Sequence, residues 1–326
     1  MRDRPAKEVG VAAPDFNPQY IPTDRGKDVL SRLANLVKNA EAVYLATDPD
    51  REGEAIAWHL QDALKLKDAK RVTYTEITEK AIQSALNAPR SIDMPLVAAQ
   101  EGRRVLDRFC GYMISGPLSN AAGTNLSAGR VQSPAVRLVV EREREIQDFR
   151  STTHYSAELT FENVDNTTDG WKAVRQVKPW LGGGQEYLLD QTLAEKAAAL
   201  RSLEVIDCKE TESRSAPPAP CTTSSLQQAA SNALKFTPKQ TMQLAQRLYE
   251  QGAITYMRTD SPNLSKEAVD AIRAFCEGQG WPQVEKSRLW KSKDREQEAH
   301  AAIRPTHIEV ADAGETVDEK NLYWLI

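Results

Sequence analysis

The run Asp48-Pro49-Asp50-Arg51-Glu52-Gly53-Glu54 sets carboxylates on alternate positions. That spacing offers several oxygens to one hard cation such as Mg²⁺, and an ion held there would hold or orient a phosphate. The order Asp-x-Asp-x-Glu-Gly also matches part of an EF-hand calcium loop, but His59 stands where that loop needs its closing Glu, so the EF-hand reading fails. A solvated acidic turn capping the next helix fits the same residues, because acids are favourable at a helix start.

A second candidate is Ile254-Thr255-Tyr256-Met257-Arg258-Thr259-Asp260-Ser261, dense in polar groups. A tyrosine with an arginine two residues on suits attack on a phosphodiester. The phenol must lose a proton from a pKa near 10, and a guanidinium steadies the phenolate, the phosphate charge, or both. A phosphotyrosyl ester conserves the energy of the backbone bond, so resealing needs no ATP. Taken alone, Tyr-x-Arg equally describes a packing tyrosine.

The elements that would position these groups read as strand, loop, helix. An apolar run at 42–46 predicts a buried strand directly before the acids, and residues 55–66 predict a helix after them. An amphipathic stretch at 29–37 precedes the strand. Residues 71–74 predict a second short strand, followed by a helix capped by Thr75 or Thr78. Ser133-Pro134 predicts a capped helix running to about 149, with Arg137 and Glu141 paired one turn apart. The alternation of Tyr155, Ala157, Leu159 and Phe161, with a Gly-rich turn at 182–184, marks 152–211 as β-rich. Ala216-Pro217-Pro218-Ala219-Pro220 reads as a hinge. Beyond it, Thr237-Pro238-Lys239-Gln240 predicts a helix with a capping box, stopped at Gly252.

Composition narrows the function classes. No run is long and apolar enough to span a membrane, and the charged start lacks a signal region, so a cytoplasmic protein is expected. The four cysteines include no C-x-x-C pair, the four histidines include no H-E-x-x-H, and no P-loop is found, which excludes a zinc ribbon, a zincin and an ATP motor. The formal net charge is −4. Between residues 101 and 140, however, Arg103, Arg104, Arg108, Arg130 and Arg137 face only Glu101 and Asp107. Such a local basic face is compatible with phosphate contact, and equally with a solvated helix.

Three blocks, taken in order and separation, resemble the type IA DNA topoisomerase family, within it the bacterial topoisomerase I branch: the acidic run extended from Tyr44 to Leu60, Leu126-Ser127-Ala128-Gly129-Arg130-Val131-Gln132-Ser133, and the Tyr256 segment. The resemblance implies the following roles. Tyr256 is the nucleophile that takes the 5′ phosphate, with Arg258 positioning it and the scissile phosphate. Asp48, Asp50 and Glu52 hold Mg²⁺. Arg103, Arg104, Asp107 and Tyr112, together with Ser127, Ala128, Gly129, Arg130, Val131 and Gln132, line a single-strand groove. His300, in Glu298-Ala299-His300, matches an active-site histidine.

The implied fold is multidomain α/β and α+β, part of a toroid. Residues 1–92 map to a Toprim domain lacking its first strand, 93–150 to part of the groove domain, 151–221 to a β-rich arch segment and hinge, and 222–326 to a helical domain carrying the tyrosine. The implied reaction is ATP-independent, Mg²⁺-dependent relaxation of negatively supercoiled DNA by a monomer acting on single-stranded segments. Three departures stand out. No opening strand with its Glu and Lys is matched, the chain stops at Leu322-Tyr323-Trp324-Leu325-Ile326 before the return segments, and Asn120-Ala121-Ala122-Gly123 lacks the usual aromatic and lysines. A chain truncated at both ends, weakly active or inactive alone, is therefore expected. The alternative is a non-catalytic fragment that binds single-stranded DNA.

Overall fold

The computed structural model describes residues 2–3, 18–161, 171–290 and 301–326. In chain order the elements are β1 (Arg2–Asp3), β2 (Ile21–Pro22), α1 (Asp24–Val37), β3 (Tyr44–Leu45), α2 (Arg51–Leu64), β4 (Lys70–Arg71), α3 (Glu79–Asn87), α4 (Met94–Ala122), α5 (Gln132–Asp148), β5 (Glu158–Phe161), β6 (Trp171–Val174), a 3₁₀ turn (Lys178–Trp180), α6 (Gln191–Ala198), α7 (Thr223–Leu234), α8 (Pro238–Glu250), α9 (Lys266–Gly278) and α10 (Val317–Leu325). This is the mixed α/β and α+β content that the sequence predicts. No helix among the described residues is long and apolar enough to cross a membrane.

The chain divides into two compact units, residues 1–130 with 216–326, and residues 131–215. In the first, β3 and β4 pair in parallel, Tyr44 opposite Lys70 and Leu45 opposite Arg71. A parallel pair needs a crossover, and α2 supplies it. Sequence sets the ends of α2: Asp50 caps it by accepting from the Gly53 N–H at 2.7 Å. The acidic turn is thus a helix cap as well as a cluster of ligand-type groups. Thr78 rather than Thr75 caps α3. Helices α7, α8 and α10 close on an apolar core of Leu226, Leu244, Leu248, Ile254, Ile303 and Leu322 that also encloses Tyr256.

The second unit holds α5, the antiparallel pair β5–β6, the 3₁₀ turn and α6. Three sequence expectations are corrected in detail. Helix α5 begins at Gln132 with Val131 before it and no side-chain cap, so Ser133 is already inside the first turn. Gln240 donates its backbone N–H to Thr237 while its side chain reaches Asp318 at 3.4 Å, so the reciprocal half of the capping box is not made. The 152–211 stretch contains one two-stranded sheet among the described residues, not a β-rich unit. Alternation marks a face, but a strand exists only where a neighbouring chain accepts its hydrogen bonds. The Arg137–Glu141 pair forms at 2.7 Å.

Candidate active site

The acidic loop leaves β3 and is fixed from behind by Arg71, which is fully buried. Its guanidinium donates to the backbone carbonyls of Leu45 (2.9 Å), Thr47 (2.8 Å), Val72 (2.7 Å) and Asp48 (2.8 Å), and to Glu54 Oε2 (2.9 Å). Glu54, 1% exposed, also accepts from Arg90 through both oxygens (2.7 and 2.9 Å) and from the Asp93 N–H (2.7 Å). Burial alone would raise the Glu54 pKa, but the hydrogen bonds from Arg90, Asp93 and Arg71 outweigh it and hold the carboxyl below its ordinary range. Gly53 is required here for space: a Cβ on it would lie 2.1 Å from the Asp48 carbonyl oxygen. The Thr47 hydroxyl ties the loop to the Gly53 carbonyl at 2.6 Å.

The tyrosine segment faces this loop. Tyr256 Oη donates to Asp50 Oδ2 at 2.7 Å, and Arg258 Nη1 donates to the same oxygen at 3.3 Å. The Tyr256 ring is 2% exposed and meets the Tyr249 ring edge-on at 5.3 Å. Burial first, then the hydrogen bond and charge of Asp50 and the charge of Asp48, push the phenol pKa well above its usual value, against Arg258. The backbone is pinned as firmly. Tyr256 N–H donates to the Thr75 carbonyl (2.7 Å), while Thr255 exchanges hydrogen bonds with Arg304 and donates its hydroxyl to the Ala302 carbonyl. Arg304 in turn pairs with Glu76 at 2.8 Å. Gly252 takes φ +74° and lies so close to the Ile77 carbonyl that a Cβ would come within 2.6 Å. Thr223 Oγ1 donates to the Met257 and Thr259 carbonyls (2.7 and 3.1 Å) and accepts from the Thr259 N–H.

Of the residues expected from sequence, Asp48, Asp50, Tyr256 and Arg258 come together. Asp48 is held above the ordinary carboxylate range by burial and by the charges of Asp50 and Glu250, against Arg258 and Arg71. Two neighbouring, mutually repelling carboxylates suit Mg²⁺, which is commonly bound through one or two carboxylates, waters and substrate phosphate. The third acid, Glu52, does not converge with them. It pairs with Arg51 (3.4 Å) and Arg103 (3.6 Å), and among the described residues no three side chains of ligand type are gathered for one ion.

Arg103, Arg104, Asp107 and Tyr112 all lie on α4, with Arg108 over the Tyr112 ring at 5.4 Å. The following loop is laid back along that helix by Ser115 and Ser119, whose hydroxyls bond the backbones of Ala128 and Leu126. This brings Arg130 onto Asp107 in a two-pronged pair (2.5 and 3.1 Å) that lowers the carboxyl pKa. Ser127, Ala128, Gly129 and Arg130 belong to the first compact unit, and Val131 and Gln132 open the second. His300 falls outside the described residues. Sequence reasoning passed over Arg71, Glu54, Arg90, Glu76, Arg304 and Thr223. Glu54 stood in the acidic run, but nothing local marks a buried arginine as the anchor of a loop.

The same assembly of motifs is found in known proteins. The DNA topoisomerase family pattern matches residues 91–326, and the Toprim domain pattern matches 13–79. A plasmid DNA topoisomerase I of Xylella fastidiosa (strain 9a5c) is 52% identical over 327 aligned residues, covering 100% of this chain and 49% of that protein. DNA topoisomerase 1 of Escherichia coli (strain K12) is 44% identical, covering 92% of this chain and 36% of that one. Full-length topoisomerase I from Thermotoga maritima superposes with a TM-score of 0.81 at 36% identity, over 99% of this chain and 54% of that chain. The chain thus spans about half, or less, of the length of these relatives. With a pattern matched over most of its length, the acidic loop and tyrosine segment facing each other, and the fold shared throughout, this chain belongs to the type IA DNA topoisomerase family.

Proposed function

We propose that this chain carries the cleavage centre of a DNA-relaxing enzyme, in which Tyr256 attacks a phosphodiester of a single-stranded segment. The observation that carries this reading is the 2.7 Å hydrogen bond from the Tyr256 hydroxyl to Asp50, with Arg258 on the same carboxylate oxygen. A new bond forms between Tyr256 Oη and the 5′ phosphate, and the bond from phosphorus to the 3′ oxygen breaks. The phenol proton has Asp50 as its nearest acceptor, and the departing 3′ oxygen takes up a proton to become a hydroxyl. Arg258, half exposed, is free to turn from Asp50 to the phosphate and steady its charge. Reversal by the 3′ hydroxyl reseals the strand without ATP.

Asp48 and Asp50 would hold Mg²⁺, joined by Glu52 once Arg103 releases it. The ion supplies positive charge that neutralises the acids and orients phosphate. Residues 1–92 serve as the Toprim domain, 93–150 as part of the groove domain, 151–221 as arch segment and hinge, and 222–326 as the tyrosine domain. Arg103, Arg104, Asp107, Tyr112 and residues 127–132 line the path of the strand, and His300 joins the catalytic set.

The test is covalent capture. Incubation of the chain with 3′-labelled single-stranded oligonucleotide and Mg²⁺, followed by denaturation, should leave label on the protein. Tyr256→Phe should leave none. Tight binding without any adduct in the parent chain would favour the second reading, a single-strand-binding fragment. That reading draws on the nearly complete burial of Tyr256.

A further inference from the structure

Helix α9 and the loop that follows it enclose a cavity of about 330 Å³. The helix lines it with Val269, Ile272 and Cys276, which recur at helical spacing. The loop lines it with Val284, Leu289 and Trp290. Directed bonds hold that loop in place. Trp281 N–H donates to the Cys276 carbonyl at 2.9 Å, and the Arg273 guanidinium donates to the carbonyls of Val284 (3.1 Å) and Glu285 (2.9 Å). At the far end Trp290 N–H donates to Asn263 Oδ1 at 2.8 Å, and Asn263 Nδ2 donates back to the Trp290 carbonyl at 2.9 Å. With its main chain fastened in this way, the space beneath the loop is part of the fold. Asp48, Asp50, Glu52, Tyr256 and Arg258 all lie outside its lining, so it is separate from the cleavage site.

The charge of the lining is one-sided. It includes Arg273 and Arg288 and no Asp or Glu, in a chain whose formal net charge is −4. Arg273 is engaged with the loop carbonyls, whereas the exposed Arg288 makes no hydrogen bond or ion pair among the described residues. Cavities of roughly 300–1,000 Å³, mostly apolar and with a few polar groups to fix orientation, are the form that small-molecule sites take. A guanidinium presents its donors as a planar fork that matches a carboxylate. The apolar walls disfavour a sugar or a bare inorganic anion, whose polar groups would be buried there without partners.

We infer that this cavity is a binding site for a small organic acid, with its carboxylate on Arg288 and its apolar body between Ile272, Cys276 and Trp290. The inference goes beyond the DNA reading above and does not depend on it.

Isothermal titration of the whole chain with octanoate tests this, with octanol as the uncharged control and inorganic phosphate as the anion without an apolar body. Octanoate should fill one saturable site, octanol should bind about five-fold more weakly, and phosphate should not compete. Arg288→Gln should lower the octanoate affinity to that of octanol and leave octanol unchanged. Ile272→Trp, which fills the cavity, should abolish binding of both. Alkylation of the thiols, mapped by peptide mass, locates the ligand. Octanoate should slow the reaction of the half-buried Cys276 several-fold while the exposed Cys208 reacts as before. The absence of saturable heat, equal affinity for octanoate and octanol, competition by phosphate, parental affinity in Arg288→Gln, or an unprotected Cys276 each overturns the site. Should Ile272→Trp lose the circular dichroism of the parent, the exposed Arg288 and the Cys276 reaction decide the matter. The DNA reading stands in every case, because none of these measurements involves Tyr256 or a nucleic acid.

Discussion

The two walls that meet at Tyr256 are held by opposite means. Behind the acids lies a polar frame, in which one buried guanidinium gathers four carbonyls and a carboxylate that is itself shared with Arg90. Behind the tyrosine lies an apolar cluster in which Leu226, Leu244, Leu248, Ile303 and Leu322 interlock. Directed bonds can hold a two-residue strand and a tight loop in one geometry, where too few apolar side chains are present to do so. They also fail abruptly, because losing one partner leaves the others buried and unpaired. Dispersion contacts fail gradually.

The sharpest way to break this contrast is Arg71→Met, which leaves four carbonyls without their donor and Glu54 with Arg90 and the Asp93 N–H alone. We expect a loss of about 4 kcal/mol in urea unfolding, and with it the Asp50–Tyr256 geometry. Leu248→Ala should cost roughly 3 kcal/mol, since neighbours partly relax into the space. If the leucine variant proves the more damaging, the polar frame is not the stiffer wall.

Acid titration sharpens the comparison further. The Glu54 carboxyl has a folded pKa below its ordinary 4.5, so the unfolded chain binds that proton more readily. Its stabilisation is complete above the ordinary value and is lost as pH falls through the depressed one. Glu319, which accepts from the Glu315 and Thr316 N–H groups, Arg247 and Gln251, is depressed in the same sense and guards the other wall. Glu54→Gln should therefore be less stable than the parent at neutral pH yet show a shallower fall on acidification, with the Glu319 share remaining. An unchanged acid limb in urea titrations would show that Glu54 is not under the tension described.

Asp48 runs the other way. Its pKa is raised, so its contribution is best at low pH and is lost as pH rises through the folded value. Asp48→Asn should raise the melting midpoint slightly at neutral pH and remove much of the further rise that Mg²⁺ gives the parent. The smallest effect belongs to the clasp between the walls. Glu76→Gln should cost about 1 kcal/mol or less and, in adduct capture, lower yield more than it lowers stability.

What could be read from sequence follows the same division. The strand–acid–helix order was legible because one short stretch carries its own cap and its own apolar run, all within local reach. Tyr256 and Arg258 were legible only in the company of the other blocks. Arg71 was not, since its worth lies in Leu45, Thr47 and Glu54, which are distant in sequence. The extent of the strands in 152–211 was missed for a related reason: a strand is a property of two segments, and alternation reports only one. The start of α5 slipped because Ser133-Pro134 looks like a cap whether or not the turn before it is already helical.

Arg71 grips main chain at Leu45, Thr47 and Asp48, and of the acidic side chains only Glu54. At Asp48 the loop's course is therefore set independently of what the side chain carries, whereas the Asp50 carboxyl also caps the helix. An amide or a longer acid at 48 would sit on an undisturbed trellis, so exchanging it reports on charge and reach alone, and a lineage could retune its ion or its pace there without rebuilding the wall.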